Sequence, residues 1–337
     1  MFGYNYPMGI QLTDSYGRKI NYLRLSVTDR CNLRCQYCMP EQGVGHKEHH
    51  EILRYEELLR IARAAVAIGI EKVRITGGEP LVRAGIIPFL SQLAAIPGLH
   101  HLALTTNGLL LPELAVDLHL AGVQRLNISL DSLRPDRFAL ITRGGDVNMA
   151  LEGIGAAFGA GFPPPKINMV VMRGINDDEL FDFAALTISH GVTVRFIEYM
   201  PAIADDHWPD RTVAGQELLD RLSTRYRLES VDKGVYAGPS RDFRIIGAPG
   251  TIGIITAISG HFCNECNRIR VTADGRMRGC LFNDETLDLR PILNRNDDHL
   301  LQETLKGMIS RKPQQHGIEP GQRTVPHTHF TMSGIGG

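Results

Sequence analysis

The chain has 337 residues, 43% of them hydrophobic and 22% charged, with a formal net charge of −1. That composition supports a large soluble core and argues against a partner such as nucleic acid or an anionic membrane surface, so an anion site must come from local clustering of the 36 Lys and Arg. No apolar run reaches the roughly 18 residues of a transmembrane helix, and MFGYNYPMGIQLTDSYGRK lacks the basic-then-apolar order of a signal peptide, so the expected location is the cytoplasm, with no membrane partner.

The first β-rich run, YLRLSV (22–27), leads into CNLRCQYC, which places Cys31, Cys35 and Cys38 within eight residues. A reducing compartment keeps thiols free, so six cysteines in two close groups favour metal over disulfides. A structural zinc site takes four ligands, whereas three thiolates hold three irons of a [4Fe–4S] cube and leave the fourth open. The alternative is zinc with a remote fourth ligand. The nearby HKEHH (46–50) reads as a solvated polar loop.

KVRIT (72–76), HLALTT (101–106), RLNISL (125–130), KINMVV (166–171) and VRFIEY (194–199) read as further strands. Helical patterns alternate with them, such as 55–69, where Leu58, Ile61, Ala62 and Ala65 share a face. Another helix is predicted over 177–191, with Asn176 as its N-cap and Gly191 as its stop. Six strand-then-helix units predict a parallel α/β sheet with right-handed crossovers, short of the eight that close a TIM barrel. The expected architecture is an open, TIM-like (β/α)6 partial barrel. Its site should lie at the C-terminal strand ends, where TDRC, TGGEP, TTNG and SLDS fall. Gly77 and Gly78 would let a strand-end backbone approach a ligand closely.

After Pro201 the rhythm changes, and the expected division is 1–207 for the barrel and 208–337 for a smaller α+β region. That region contains a helix over 214–224, the run GTIGIITAIS (250–259), and RIRVTADGRMRGC (268–280) with an Asp-Gly hairpin signal. It carries the second group, Cys263, Cys266 and Cys280, read as a second three-thiolate cluster whose open iron could bind substrate. Zinc completed by His261 is the alternative. Arg24 and Arg74 sit inside strands where a buried barrel expects apolar residues, and charges there want an anionic partner. Arg268 and Arg270 alternate onto one strand face beside Cys266. Bidentate arginine is suited to phosphate.

CxxxCxxC after a first strand, with an aromatic residue before the last cysteine, resembles the radical S-adenosylmethionine (SAM) superfamily, and TGGEP adds to the match. LRLSVTDRCNLRCQYCMP, RITGGEPL, LTTNGLLL, NISLDSL, RFIEYMP, the Cys263–Cys280 group and the terminal IGG are together similar to the GTP 3′,8-cyclase family. That resemblance implies a radical SAM partial barrel, a homodimer, two [4Fe–4S] clusters and SAM. It implies that a 5′-deoxyadenosyl radical takes hydrogen from the ribose 3′ carbon of GTP. Attack on guanine carbon 8 then gives 3′,8-cyclo-7,8-dihydro-GTP, opening molybdenum cofactor biosynthesis. The implied partners are a flavodoxin- or ferredoxin-like reductant and a downstream cyclic pyranopterin monophosphate synthase.

Carried over residue by residue, Cys31, Cys35 and Cys38 ligate the first cluster, and Cys263, Cys266 and Cys280 the second. Tyr37, Gly78, Ser129 and Met200 match SAM-contacting positions. Arg24, Arg74, Thr105, Lys166, Arg268 and Arg270 match GTP-contacting positions. Arg195 matches an active-site arginine, with an ion pair to Glu198 as the alternative. Gly336 and Gly337 match a tail that reaches the active site, so catalytic roles fall to Arg24, Arg195, Arg268, Arg270 and these glycines. Two rivals remain open: a radical SAM enzyme whose auxiliary cluster serves a peptide substrate, and a non-enzymatic zinc protein.

Overall fold

Short strands that alternate apolar and polar side chains give the sheet an apolar face buried under helices and a polar face turned to a central cavity. The computed structural model describes residues 12–43, 45, 47–200, 208–232, 234, 238–318 and 332–335. Its first half contains β1 (Tyr22–Ser26), β2 (Lys72–Thr76), β3 (His101–Thr106), β4 (Arg125–Ser129), β5 (Lys166–Val171) and β6 (Thr193–Glu198). Between them run α1 (Tyr55–Ala67), α2 (Ile86–Ala94), α3 (Leu111–Leu120), α4 (Pro135–Thr142), α5 (Val147–Gly159) and α6 (Leu180–Ser189). These strands pair in sequence order and in parallel. Leu23 and Leu25, Val73 and Ile75, Leu126 and Ile128 turn outward into a core that includes Leu58, Ile61, Ala62 and Ala65 of α1. Burial of each such aliphatic side chain stabilises the fold by ~1.5–3 kcal/mol.

The chain continues with α7 (Trp208–Arg211), α8 (Gly215–Ser223), β7 (Leu228–Val231), β8 (Arg241–Ile245), β9 (Thr251–Ile255), β10 (Arg268–Val271), β11 (Arg276–Arg278) and β12 (Leu287–Asp288). Two further helices follow, α9 (Arg290–Leu293) and α10 (Asp298–Ser310), with α10 packing against α1 and α9 against α10, and then α11 (Met332–Ile335). The strands after residue 207 do not build a sheet of their own. β9 adds in parallel to β6 and β10 in parallel to β1, giving one 12-stranded sheet ordered β12-β11-β10-β1-β2-β3-β4-β5-β6-β9-β8-β7. A six-stranded partial barrel would leave the backbone groups of both edges unpaired, and β9 and β10 cover them. The Asp274-Gly275 turn joins antiparallel β10 and β11, with Gly275 at φ 86°.

The helix predicted over 177–191 differs at its start. Residues 177–179 form a 3-10 turn, and Asn176 does not cap it. Its Oδ1 accepts from the Met172 amide (2.7 Å) and its Nδ2 donates to the carbonyls of Asp131 (2.8 Å) and Val170 (2.9 Å). Tying together the ends of β4 and β5 has displaced the local cap. At the other end, Gly191 is left-handed, as a stop requires. Among the described residues, no helix is long and apolar enough to cross a membrane.

Candidate active site

The inward strand positions converge on one cavity of about 1260 Å³ including its open mouth. Its wall carries Arg24, Arg74, Arg195 and Arg268, together with Tyr37, Gly78, Thr105, Ser129 and Met200, and the thiols of Cys31, Cys35 and Cys38. Strand register packs the cations closely: Arg24 lies beside Arg270 on one neighbouring strand and Arg74 on the other. Like charges side by side repel. Burial, then Arg270, hold the Arg24 guanidinium well below its usual range. Burial and Arg74 bring Arg195 to about 10, and burial and Arg268 bring Arg270 to about 10.

Two lysines on the same inward face are pushed further. Burial and Arg74 bring Lys72 to about 6, and burial and Arg195 bring Lys166 to about 7. Lys72 Nζ stands 4.5 Å from the Tyr22 ring centroid. The Nε atoms of Arg24, Arg74 and Arg195 and the Thr105 hydroxyl are buried without a hydrogen-bond partner among the described residues. Buried guanidinium groups with unsatisfied Nε donors, crowded by like charges, suit a polyanion. The alternative partner for Arg195 is spoken for. Glu198 lies on the opposite side of β6, and its carboxylate accepts from the amides of Gly215 (2.6 Å), Ile258 (2.8 Å) and Ser259 (3.0 Å) and from the Ser259 hydroxyl.

At the C-terminal strand ends the first cysteine loop closes a tight turn, with the amides of Cys38 (2.9 Å) and Met39 (3.0 Å) donating to the Cys35 carbonyl. Burial pushes the Cys31 thiol up to about 11 and Cys35 well above its usual value. Such thiols ionise when cationic iron arrives to bind them. A tetrahedral zinc ion needs its sulfurs ~3.8 Å apart, from Zn–S bonds of ~2.3 Å. Three thiols on one cavity wall are instead the donor set that holds three irons of a [4Fe–4S] cluster and leaves the fourth open.

The TGGEP segment grips this loop. A Cβ on Gly78 would sit 2.3 Å from the Arg30 carbonyl oxygen, and the amides of Gly78 and Glu79 donate to the carbonyls of Thr28 and Arg30 (both 2.8 Å). The glycine expected to admit a ligand is therefore required first by the loop carrying the cysteines. Glu79 is fully committed: it accepts from the Thr106 hydroxyl (2.9 Å) and from the amides of Leu81 (3.1 Å) and Asn107 (2.7 Å). Burial raises its carboxyl to about 7 against those bonds. Asn107 in turn donates to Asn32 Oδ1 (2.7 Å), and the Tyr37 hydroxyl donates to buried Asp131 (2.7 Å).

The second group spans the turn Cys263–Glu265, Cys266 ahead of β10, and Cys280 after β11. Lys312, 3% exposed, donates to the Gly279 carbonyl (2.7 Å) and holds Nζ 3.3 Å from Cys266 Sγ. Burial would raise the Cys266 thiol, but Arg268 and Lys312 outweigh it and bring it to about 6. The zinc alternative through His261 has a geometric core, because His261, Cys263 and His316 place ligand atoms within 4.8 Å. His316, however, accepts from the Ile318 amide at Nδ1 (3.3 Å), and its Nε2 lies 3.0 Å from the Ala257 carbonyl. A nitrogen donating to a carbonyl has no lone pair left for an ion.

Lys72, Lys166, Arg270 and the second cysteine trio do not line the cavity wall directly. Arg268 links the two sites, because it lines the cavity and acts on Cys266. Gly336 and Gly337 lie outside the described residues, although Met332 reaches the wall. Sequence reading missed Lys72, Glu79, Asp131 and Lys312. Only Lys72 carried a local signal, two residues before Arg74 on the same strand face.

Residues 25–187 match the radical SAM superfamily, and residues 192–318 match Molybdenum Cofactor Synthesis C. The chain is 63% identical over 328 residues to a GTP 3′,8-cyclase of Geobacter sulfurreducens, covering 97% of this chain and 100% of that one. It is 45% identical over 327 residues to a GTP 3′,8-cyclase of Moorella thermoacetica, again covering 97% and 100%. In fold it is similar to the crystal structure of Streptococcus suis SuiB, with a TM-score of 0.62 at 13% identity over 88% of this chain and 69% of that one. Identity at this level over full-length relatives leaves one assignment: the chain belongs to the GTP 3′,8-cyclase family within the radical SAM superfamily.

Proposed function

We infer that the chain cyclises GTP to (8S)-3′,8-cyclo-7,8-dihydroguanosine 5′-triphosphate, the first step of molybdenum cofactor biosynthesis, using SAM and two [4Fe–4S] clusters. The observation that carries this reading is the set of buried arginines, three of them with unsatisfied Nε donors, sharing one cavity with three cysteines. When bound, the first cluster and SAM supply the 5′-deoxyadenosyl radical. Cys31, Cys35 and Cys38 hold that cluster, and Tyr37, Gly78, Ser129 and Met200 seat SAM. Arg24, Arg74, Thr105, Lys72, Lys166, Arg195, Arg268 and Arg270 seat and orient GTP. Cys263, Cys266 and Cys280 hold the second cluster, whose thiolates Lys312 and Arg268 offset in charge. Gly336 and Gly337 complete the active site.

The lysines make GTP binding proton-linked. Burial and the neighbouring arginines bring Lys72 to about 6 and Lys166 to about 7, so both are mostly neutral at pH 8. A triphosphate restores their charge, so binding takes up protons and affinity falls as pH rises above 7. Calorimetry at pH 8 in buffers of different ionisation enthalpy should show that uptake. Proton release on binding would remove both lysines from the triphosphate seat.

The reaction itself is tested with GTP deuterated at the ribose 3′ carbon, reductant and SAM under anaerobic conditions. 5′-Deoxyadenosine should acquire deuterium, detected by mass spectrometry. Unlabelled deoxyadenosine would keep the radical SAM assignment and eliminate abstraction at that carbon. We further propose a homodimer in the cytoplasm, where thiols stay reduced. A flavodoxin- or ferredoxin-like protein supplies electrons, and a cyclic pyranopterin monophosphate synthase consumes the product.

A further inference from the structure

We propose that Arg143 is a positioning residue that clasps the first cysteine loop in the shape that accepts SAM. The proposal rests on the radical SAM reading of that loop. Arg143 follows α4 with φ 57° and ψ 56°, a left-handed conformation that non-glycine residues rarely adopt. Among the described residues the only other non-glycine at positive φ is Asn296, a residue type that tolerates it. Glycines stand at 144 and 145, immediately after, so an arginine at the strained position calls for a reason.

Its guanidinium supplies one. Nη1 donates to the carbonyls of Arg34 (3.0 Å) and Met39 (2.8 Å), one on each side of Cys35 and Cys38. The last turn of α4 grips the same segment from below. The Arg34 amide donates to Thr142 (3.1 Å), the Gln36 amide to Ile141 (2.9 Å), and the Gln36 side chain to the Leu140 carbonyl (3.0 Å). Helix-terminal carbonyls, which lack intrahelical partners, are thereby used to hold the loop. Gly145 completes the fit, because a Cβ there would lie 2.8 Å from Leu33 Cδ2 and 2.6 Å from Thr142 Oγ1. Left-handed geometry at 143 turns the side chain back over the loop that its own helix end supports. Because Arg143 is exposed, the bland reading is a surface arginine whose bonds stabilise nothing.

Arg143→Gly separates the two readings, since it relieves the left-handed backbone and deletes both bonds. Arg143→Asn is the second variant: asparagine also tolerates this conformation and is too short to reach either carbonyl. Reconstituted, reduced protein is titrated with SAM while the first cluster's EPR signal is followed. The wild type should show a SAM-dependent change. Both variants should bind the same iron and melt no lower, yet need SAM on the order of tenfold higher for half-saturation, the worth of one charge-assisted hydrogen bond. The second cluster's signal should not move, and Arg143→Lys, able to reach one carbonyl, should fall between. Half-saturation at the wild-type concentration in both variants would overturn the proposal. So would a lowered melting temperature with loss of both clusters alike, which marks a merely structural residue. A wild type that ignores SAM would instead overturn the radical SAM reading on which the proposal stands.

Discussion

Cys38→Ala is expected to abolish 5′-deoxyadenosine formation while the backbone of the loop survives. The Cys38 amide, not its side chain, closes the turn onto Cys35, and alanine keeps that bond. What disappears is one of three thiols on the cavity wall, where the lining holds no fourth cysteine among the described residues. Loss of an outer-shell partner alone costs ~10–100-fold in metal affinity, so loss of a ligand should lower SAM cleavage by more than ~100-fold. Anaerobic chromatography of deoxyadenosine, with iron and sulfide assays on the same sample, checks it. The second cluster should remain. Cleavage at the wild-type rate would show that Cys38 is no ligand.

Arg195→Met should move stability and affinity in opposite directions. Arg195 is 4% exposed, is held at about 10 by burial and Arg74, and has a buried Nε without a partner. Replacing a buried, only partly compensated charge by an apolar side chain of similar length should stabilise the GTP-free protein by ~1–3 kcal/mol. The same change removes a charge-assisted bond to the substrate, weakening GTP by ~1.5–3 kcal/mol, or ~10–150-fold. Thermal unfolding without GTP and calorimetric titration with it give the two numbers. A less stable protein with unchanged GTP affinity would place Arg195 in the scaffold, and Asp242, the acid that partly offsets its charge, would then be its partner.

The parity of the strands was open to reading. Leu23 and Leu25 face helices while Tyr22 and Arg24 face the cavity, and the same two-residue period puts Arg74, Thr105, Ser129 and Arg195 inside. Cysteine spacing was equally plain. Lys72 obeys that period too, but a lysine at a strand start reads as a solvated end until Tyr22 and His101 are seen beside it. Asn176 shows how a local expectation fails: three backbone groups from two strands outcompeted the helix start for its amide. Glu79 and Asp131 were hidden for a related reason. Their roles are defined by Thr106, Asn107 and Tyr37, which lie far along the chain.

Local periodicity and cysteine spacing thus determined the α/β class, the inward face of each strand and the two cysteine groups, because those signals need only neighbours a few residues away. Tertiary structure decided that β9 and β10 cover the barrel edges, that Arg24 sits between Arg270 and Arg74, that Lys312 lies against Cys266, and that Arg143 reaches back to the cysteine loop. Each of these joins residues distant in sequence. Their energies come from burial and from charges brought together, and neither exists until the chain has closed on itself.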